Sequence, residues 1–302
     1  MDYYLQPDFL SPPPPLEITF EEYSELAKSS ITLTAAFSLE ENYDLLVGNY
    51  LELENSILSL STSTMLRQRR DYADMFELTA EMNRRAVNFL SSARLFVDQV
   101  RQRVGACNSD PEEIKKRLNV EYEQSFEYRF MEALRNHVQH SGSAIHELSP
   151  LASWWPQHKK FKRIFTLEIH TRKSFLALDP KFKNSVLEEC SEKVDFMQAA
   201  RKYLKSLSSV QDFSRSNIKD NVEKARSNFE GAIKNYMDFS GAPSLGLAAF
   251  HGKEGKRENK IPILLEWDDV RVKLAQRNRP LISLDNTIIA SEMIPSTYEI
   301  TD

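Results

Sequence analysis

Residues 35–60 read AAFSLEENYDLLVGNYLELENSILSL. Leu39, Tyr43, Leu46, Val47, Tyr50, Leu53, Ile57 and Leu60 recur at spacings of mostly three and four. That is the period of one apolar face on a long helix, whereas a strand would alternate every second residue. The polar cluster Ser61-Thr62-Ser63-Thr64 predicts a break. Residues 65–104 then repeat the pattern with Leu66, Met75, Leu78, Met82, Val87, Leu90, Phe96 and Val100. Two long amphipathic helices joined by a short polar turn read as an antiparallel hairpin. The fold class that follows is mainly α, a helical bundle built on that hairpin.

The flanking segments divide the chain further. Residues 1–18 read as an extended Pro-rich leader, because Pro12-Pro13-Pro14-Pro15 favours polyproline II. From Thr19 the pattern turns helical, with Phe20, Tyr23 and Leu26 on one face and Glu21 and Glu22 in the first turn. Asp110-Pro111-Glu112-Glu113 is a helix start, with a capping Asp and Pro at the first helical position. Ser125 caps a helix over 126–140 that stops at Ser141-Gly142. Near 143–178 the apolar residues mostly alternate, which predicts a small β-hairpin insertion closed by Asp179-Pro180. Helices are expected again over 181–206 and 208–239, completing a helical domain over 19–240. The C-terminal extension, 241–302, begins with an exposed basic loop (Lys253, Lys256, Arg257 and Lys260 among four glycines). A strand near 261–265 and a short helix over 266–277 follow.

Composition narrows the classes. The chain has 302 residues, 41% of them hydrophobic, so a sizeable core can form. Eight glycines argue against a sandwich, a barrel or a glycine-rich phosphate loop. No apolar run approaches the roughly 18 residues of a membrane span, and Met1-Asp2-Tyr3-Tyr4 lacks a signal-peptide pattern. Two cysteines, Cys107 and Cys190, form no disulfide framework. Free thiols and a cytoplasmic location are expected. The net charge of −5 hides an asymmetry. Residues 1–60 hold eleven Asp/Glu and one Lys, while the remainder holds 38 Lys/Arg and 33 Asp/Glu. A mildly basic body could steer a polyanion, but this is not the strongly basic footprint of a nucleic-acid-coating protein.

The segment that carries chemistry is Arg135-Asn136-His137-Val138-Gln139-His140. Arginine is permanently charged and binds phosphate through a bidentate fork. Histidine moves protons near neutral pH. Chance would place Arg, Asn and His in this pattern only about 0.02 times in such a chain. At about 100° per residue, Phe126, Phe130, Met131, Leu134 and Val138 form an apolar stripe that includes His137. His140 falls at its border, and Asn136 is its i, i+4 neighbour. Arg135 lies about 140° from His140 on the wheel. A site shared by two symmetry-related copies therefore unites the pair more readily than one helix does.

The stretch from Phe126 to His140 resembles the signature helix of the HEPN superfamily: Arg, a polar residue that is often Asn, three to five residues, then His. The resemblance is specific over 126–142 and loose over 35–240. It implies an α-helical bundle that forms a homodimer, with the motif residues of two domains lining one cleft. It also implies metal-independent endoribonuclease activity, without a cofactor, in a toxin module or phage defence. Arg135 and His140 would be catalytic and Asn136 their polar support; His137 and Gln139 have no counterpart role. Products would be 2′,3′-cyclic phosphate and 5′-OH ends. Some HEPN toxins carry Tyr two residues after the His and use it with a paired nucleotidyltransferase; here Gly142 stands there. An antitoxin or regulatory partner is not identifiable. The alternative is a non-catalytic HEPN-like nucleotide-binding or protein-interaction scaffold.

Other candidates are RNA contacts from Lys159, Lys160, Lys162 and Arg163, beside Trp154 and Trp155, which could stack bases or close a core. His137, His140 and His146 have a spacing too poor, with no cysteine to complete it, to predict a metal.

Overall fold

Three helices dominate the chain: α1 (Phe20–Leu66), α2 (Tyr72–Ala106) and α7 (Phe196–Ser240). They belong to a computed structural model that describes residues 3–67, 71–154, 163–252 and 259–289. Between them lie α3 (Pro111–Gln124), α4 (Phe126–His140), α5 (Lys173–Leu176) and α6 (Asn184–Glu189), and α8 (Glu266–Arg277) follows. Two small antiparallel sheets complete a mainly helical fold. One has the order β2 (Leu16–Glu17), β1 (Tyr3–Pro7), β6 (Leu247–His251), β7 (Asn259–Pro262); the other runs β3 (Glu147–Trp154), β4 (Arg163–Arg172), β5 (Lys193–Asp195).

Local chemistry sets the helix boundaries. Thr19 and Glu22 form a reciprocal capping box at α1, with Oε2 of Glu22 accepting from the Thr19 N–H at 2.8 Å and Oγ1 of Thr19 accepting from the Glu22 N–H at 3.1 Å. The expected break at Ser61–Thr64 does not occur. Thr62 and Thr64 donate to the carbonyls of Leu58 and Leu60, four residues back, and α1 continues to Leu66. At the other end of the chain, Gly241 takes a φ of +65° after α7, a left-handed position that glycine fills without a Cβ penalty.

Three expectations are corrected. The helices expected over 181–206 and 208–239 are not a pair. Leu204, Leu207 and Val210 keep the buried stripe continuous, so α7 is one helix of 45 residues. Upstream, buried Val194 sits between exposed Lys193 and Asp195, a strand period, and pairs with Thr171 of β4 as β5. The leader is also more than an extended arm, since residues 3–7 form a strand between β2 and β6. Finally, the segment 241–260 is not all exposed loop. Leu247–Phe250 are buried as an interior strand, and Tyr4 stacks on Phe250 at 5.4 Å. Residues 253–258 lie outside the described residues.

The chain groups into two units, each assembled from three separated segments. The first comprises residues 1–44, 95–118 and 210–279. Its core includes Leu33, Leu39, Tyr43, Phe96, Val100, Phe229 and Tyr236. Buried Asp268 on α8 receives Arg226 of α7 at 2.7 Å and Arg271 at 2.5 Å. The second comprises residues 45–94, 119–209 and 280–302 and contains the Arg135–His140 segment. Its core is built on an aromatic relay: Tyr50 with Phe89 at 5.8 Å, Phe89 with Tyr203 at 6.2 Å, and Tyr203 with Tyr128 of α4 at 5.0 Å. Among the described residues, no helix is long and apolar enough to cross a membrane.

Candidate functional site

Ser125 opens α4. Its side chain accepts from the Tyr128 N–H at 3.1 Å, satisfying one of the orphan donors of the first turn. The helix buries Tyr128, Phe130, Met131, Ala133, Leu134 and His137. The opposite face carries Asn136, Gln139 and His140, all exposed, with Arg135 half-buried beside them.

Arg135 and Asn136 are brought together: Nη1 of Arg135 donates to Oδ1 of Asn136 at 3.0 Å. Asn136 thus orients the guanidinium without neutralising it. Most of the other arginines of this unit meet a carboxylate. Arg85 pairs with Glu81, Arg94 with Glu132, Arg129 with Glu189, Arg172 with Glu147, and Arg201 with Glu54. Among the described residues Arg135 meets no carboxylate, and its buried Nε has no hydrogen-bond partner. His140 stands at the exposed last position of the helix, and no described residue hydrogen-bonds its ring. The structure therefore joins Arg135 to Asn136 but does not join either to His140.

His137, one turn earlier, has the opposite fate. It is 5% exposed, and its Nδ1 lies 2.7 Å from Oδ2 of the equally buried Asp179. Oδ1 of Asp179 accepts from the Lys181 N–H at 2.9 Å, an Asx-type turn. The His137 hydrogen bond, the Lys181 N–H and the Ser141 side chain together hold the Asp179 carboxyl down at about 2. The N–H groups of Ser141 and Gly142 both reach the His137 carbonyl, at 2.8 and 3.2 Å, and close the helix. A Cβ on Gly142 would stand 2.8 Å from His137 Nε2 and 3.2 Å from Cε1. The ring fills the space that a side chain at 142 needs, so no tyrosine fits there while His137 stays buried.

The chain beyond α4 is pinned close by. Asn83 of α2 accepts from the Ile145 N–H at 2.9 Å and donates to the Ile145 carbonyl at 3.0 Å. His146 follows, its ring 6.5 Å from that of His137 and stacked on Phe175 at 4.6 Å. Burial, reinforced by the nearby His137, pushes the His146 imidazole down to about 4. Its Nδ1 accepts from the Arg172 N–H at 3.2 Å, so the neutral ring carries its proton on Nε2.

Of the expected RNA contacts, Lys159, Lys160 and Lys162 lie outside the described residues. Arg163 is exposed at the start of β4, paired in register with Trp154, its guanidinium 5.1 Å from the Phe165 ring centroid. Among the described residues no three His, Cys, Asp or Glu side chains form a metal-sized group. Sequence reasoning missed Asp179, whose only signal was an acid before proline, and the space filled at Gly142, which had none.

With this geometry in hand, comparison with known proteins adds no relative: no family model matches the chain, and neither a curated protein nor a solved structure does.

Proposed function

We propose that the protein is a metal-independent endoribonuclease of HEPN type, acting as a homodimer whose two α4 helices share one cleft. The observation that carries this reading is Arg135. It is an arginine oriented by Asn136 and left without a carboxylate among the described residues, in a unit whose other arginines on the same helices are neutralised. A half-buried guanidinium with unused donors is suited to receive a phosphate. The exposed His140 on the same helix supplies a group that can move a proton. The sequestered His137 leaves His140 as the histidine of α4 open to a substrate.

In the proposed reaction the ribose 2′-oxygen attacks the adjacent phosphorus and its proton passes to the His140 imidazole of one protomer. The bond from phosphorus to the 5′-oxygen breaks, and the protonated His140 of the other protomer gives its proton to that oxygen. Arg135 stabilises the charge that gathers on the non-bridging oxygens as the phosphorane-like transition state forms. The products are a 2′,3′-cyclic phosphate and a 5′-hydroxyl, and no metal participates.

The test is incubation of purified protein with total cellular RNA in EDTA, beside Arg135→Ala and His140→Ala variants verified as folded. Cleavage with cyclic-phosphate ends, lost in both variants, is expected. Activity retained by both variants overturns the site. Absence of cleavage by every form favours the non-catalytic scaffold.

A further inference from the structure

We infer that the segment 173–181 forms a nucleobase-and-phosphate subsite beside the end of α4, with the Phe175 ring as a stacking platform and Lys181 as the phosphate contact. This inference rests on the reading of Arg135 and His140 as an RNA site.

The segment is fixed to α4 by the buried contact of Asp179 with His137. The segment comprises α5 and the turn that follows it. Phe175 is 50% exposed, yet one face of its ring is already held against His146, nearly parallel at 16°. A ring backed on one side and open on the other is pre-ordered for a second plane. Any base has a π face to offer, so stacking there needs no sequence preference. His146 behind it is a neutral aromatic plane at physiological pH and brings no charge that would attract a carboxylate ligand instead.

Lys181 supplies the electrostatic half. Its side chain is exposed, and its backbone N–H rests on Asp179. Among the described residues its ammonium makes no ion pair, whereas Lys193 and Lys202 of this unit are paired with Glu147 and Glu127. The rings run in sequence from His137 to His146 at 6.5 Å and on to Phe175 at 4.6 Å. His137, on the buried face, and His140, exposed, lie in the same last turn of α4, three residues apart. The Asp179–His137 contact ties the segment to the turn that ends at His140, and in the proposed subsite a strand with its scissile phosphate there reaches the Phe175 ring within a few nucleotides.

The experiment uses the His140→Ala protein, expected to bind without cutting, and a fluorescein-labelled twelve-residue oligouridylate followed by anisotropy. Phe175→Ala is expected to weaken binding about tenfold, with the salt dependence unchanged, as befits loss of one stacked base. Phe175→Trp is expected to restore it. Lys181→Ala is expected to weaken binding and flatten the salt dependence by about one phosphate contact. Leu245→Ala removes a 76% exposed apolar side chain from outside the segment and is expected to change nothing. Equal affinity of the Phe175→Ala and parent proteins overturns the inference. So does failure of the His140→Ala protein to bind while the wild type cleaves RNA, and in that case the nuclease reading survives. Binding that depends on Phe175 without cleavage by the wild type sinks the nuclease reading and keeps the subsite.

Discussion

His137 and His140, three residues apart on α4, stand in opposite environments, the first buried and the second exposed. Burial and Asp179 take His137 out of contact with any substrate, and Gly142 leaves the room its ring occupies. Gly142→Ala is therefore expected to destabilise the protein by about 1–3 kcal/mol, because a methyl must displace a ring held on its far side. Chemical denaturation of the variant checks this, and an unchanged midpoint would contradict the geometry. The titrating groups of this cluster also set an acid dependence. His146 is depressed to about 4 from an unfolded value near 6.5, so the unfolded chain takes up its proton first, and stability falls as pH drops from 6.5 towards 4. Asp179, held at about 2 against 3.8, contributes stability that is present above 3.8 and lost between 3.8 and 2. Unfolding curves across this range should show both losses in turn. His146→Gln should flatten the upper window and Asp179→Asn the lower one.

Among the elements, α4 is the one on which the proposed function depends, and its start is set by one serine. Ser125→Ala removes the acceptor for the Tyr128 N–H, and a loss of about 1 kcal/mol in unfolding free energy is expected. Helix α8 depends on a different device. Asp268 is completely buried and joins Arg226 of α7 to Arg271 of α8 itself. Asp268→Ala leaves Arg271 without a carboxylate among the described residues and Arg226 with Glu230 and Asp269 alone. Breaking a buried pair in this way is expected to cost about 3–5 kcal/mol, measurable as a large drop in the urea midpoint. A change of a few tenths would mean that Glu230 and Asp269, the other carboxylates on Arg226, suffice.

For the whole molecule, the proposed chemistry requires two copies. Light scattering on the eluting protein is expected to give twice the chain mass, and a strictly monomeric protein at micromolar concentration argues against a shared cleft. Much of the fold follows from short-range patterns. The spacing of Leu39, Tyr43, Leu46, Tyr50 and Leu53 makes a helix wherever those side chains find cover. Ser125 and Asp110 mark helix starts because capping is decided within four residues. The candidates Arg135, Asn136 and His140 are named from residue type and order along one helix, which need no partner to be read. Other features depend on distant segments. β1 becomes a strand only because Leu247–His251, some 240 residues later, offers it backbone partners. The two helices expected over 181–206 and 208–239 become one because Leu204, Leu207 and Val210 are all buried along one stripe. Periodicity places His137 on the apolar stripe, but its partner there, Asp179, lies 42 residues away and is supplied only by the fold. Periodicity and capping are local and survive in the one-dimensional chain. Strand pairing, burial and the company a titratable group keeps are contacts between segments far apart in sequence, and only packing in three dimensions creates them.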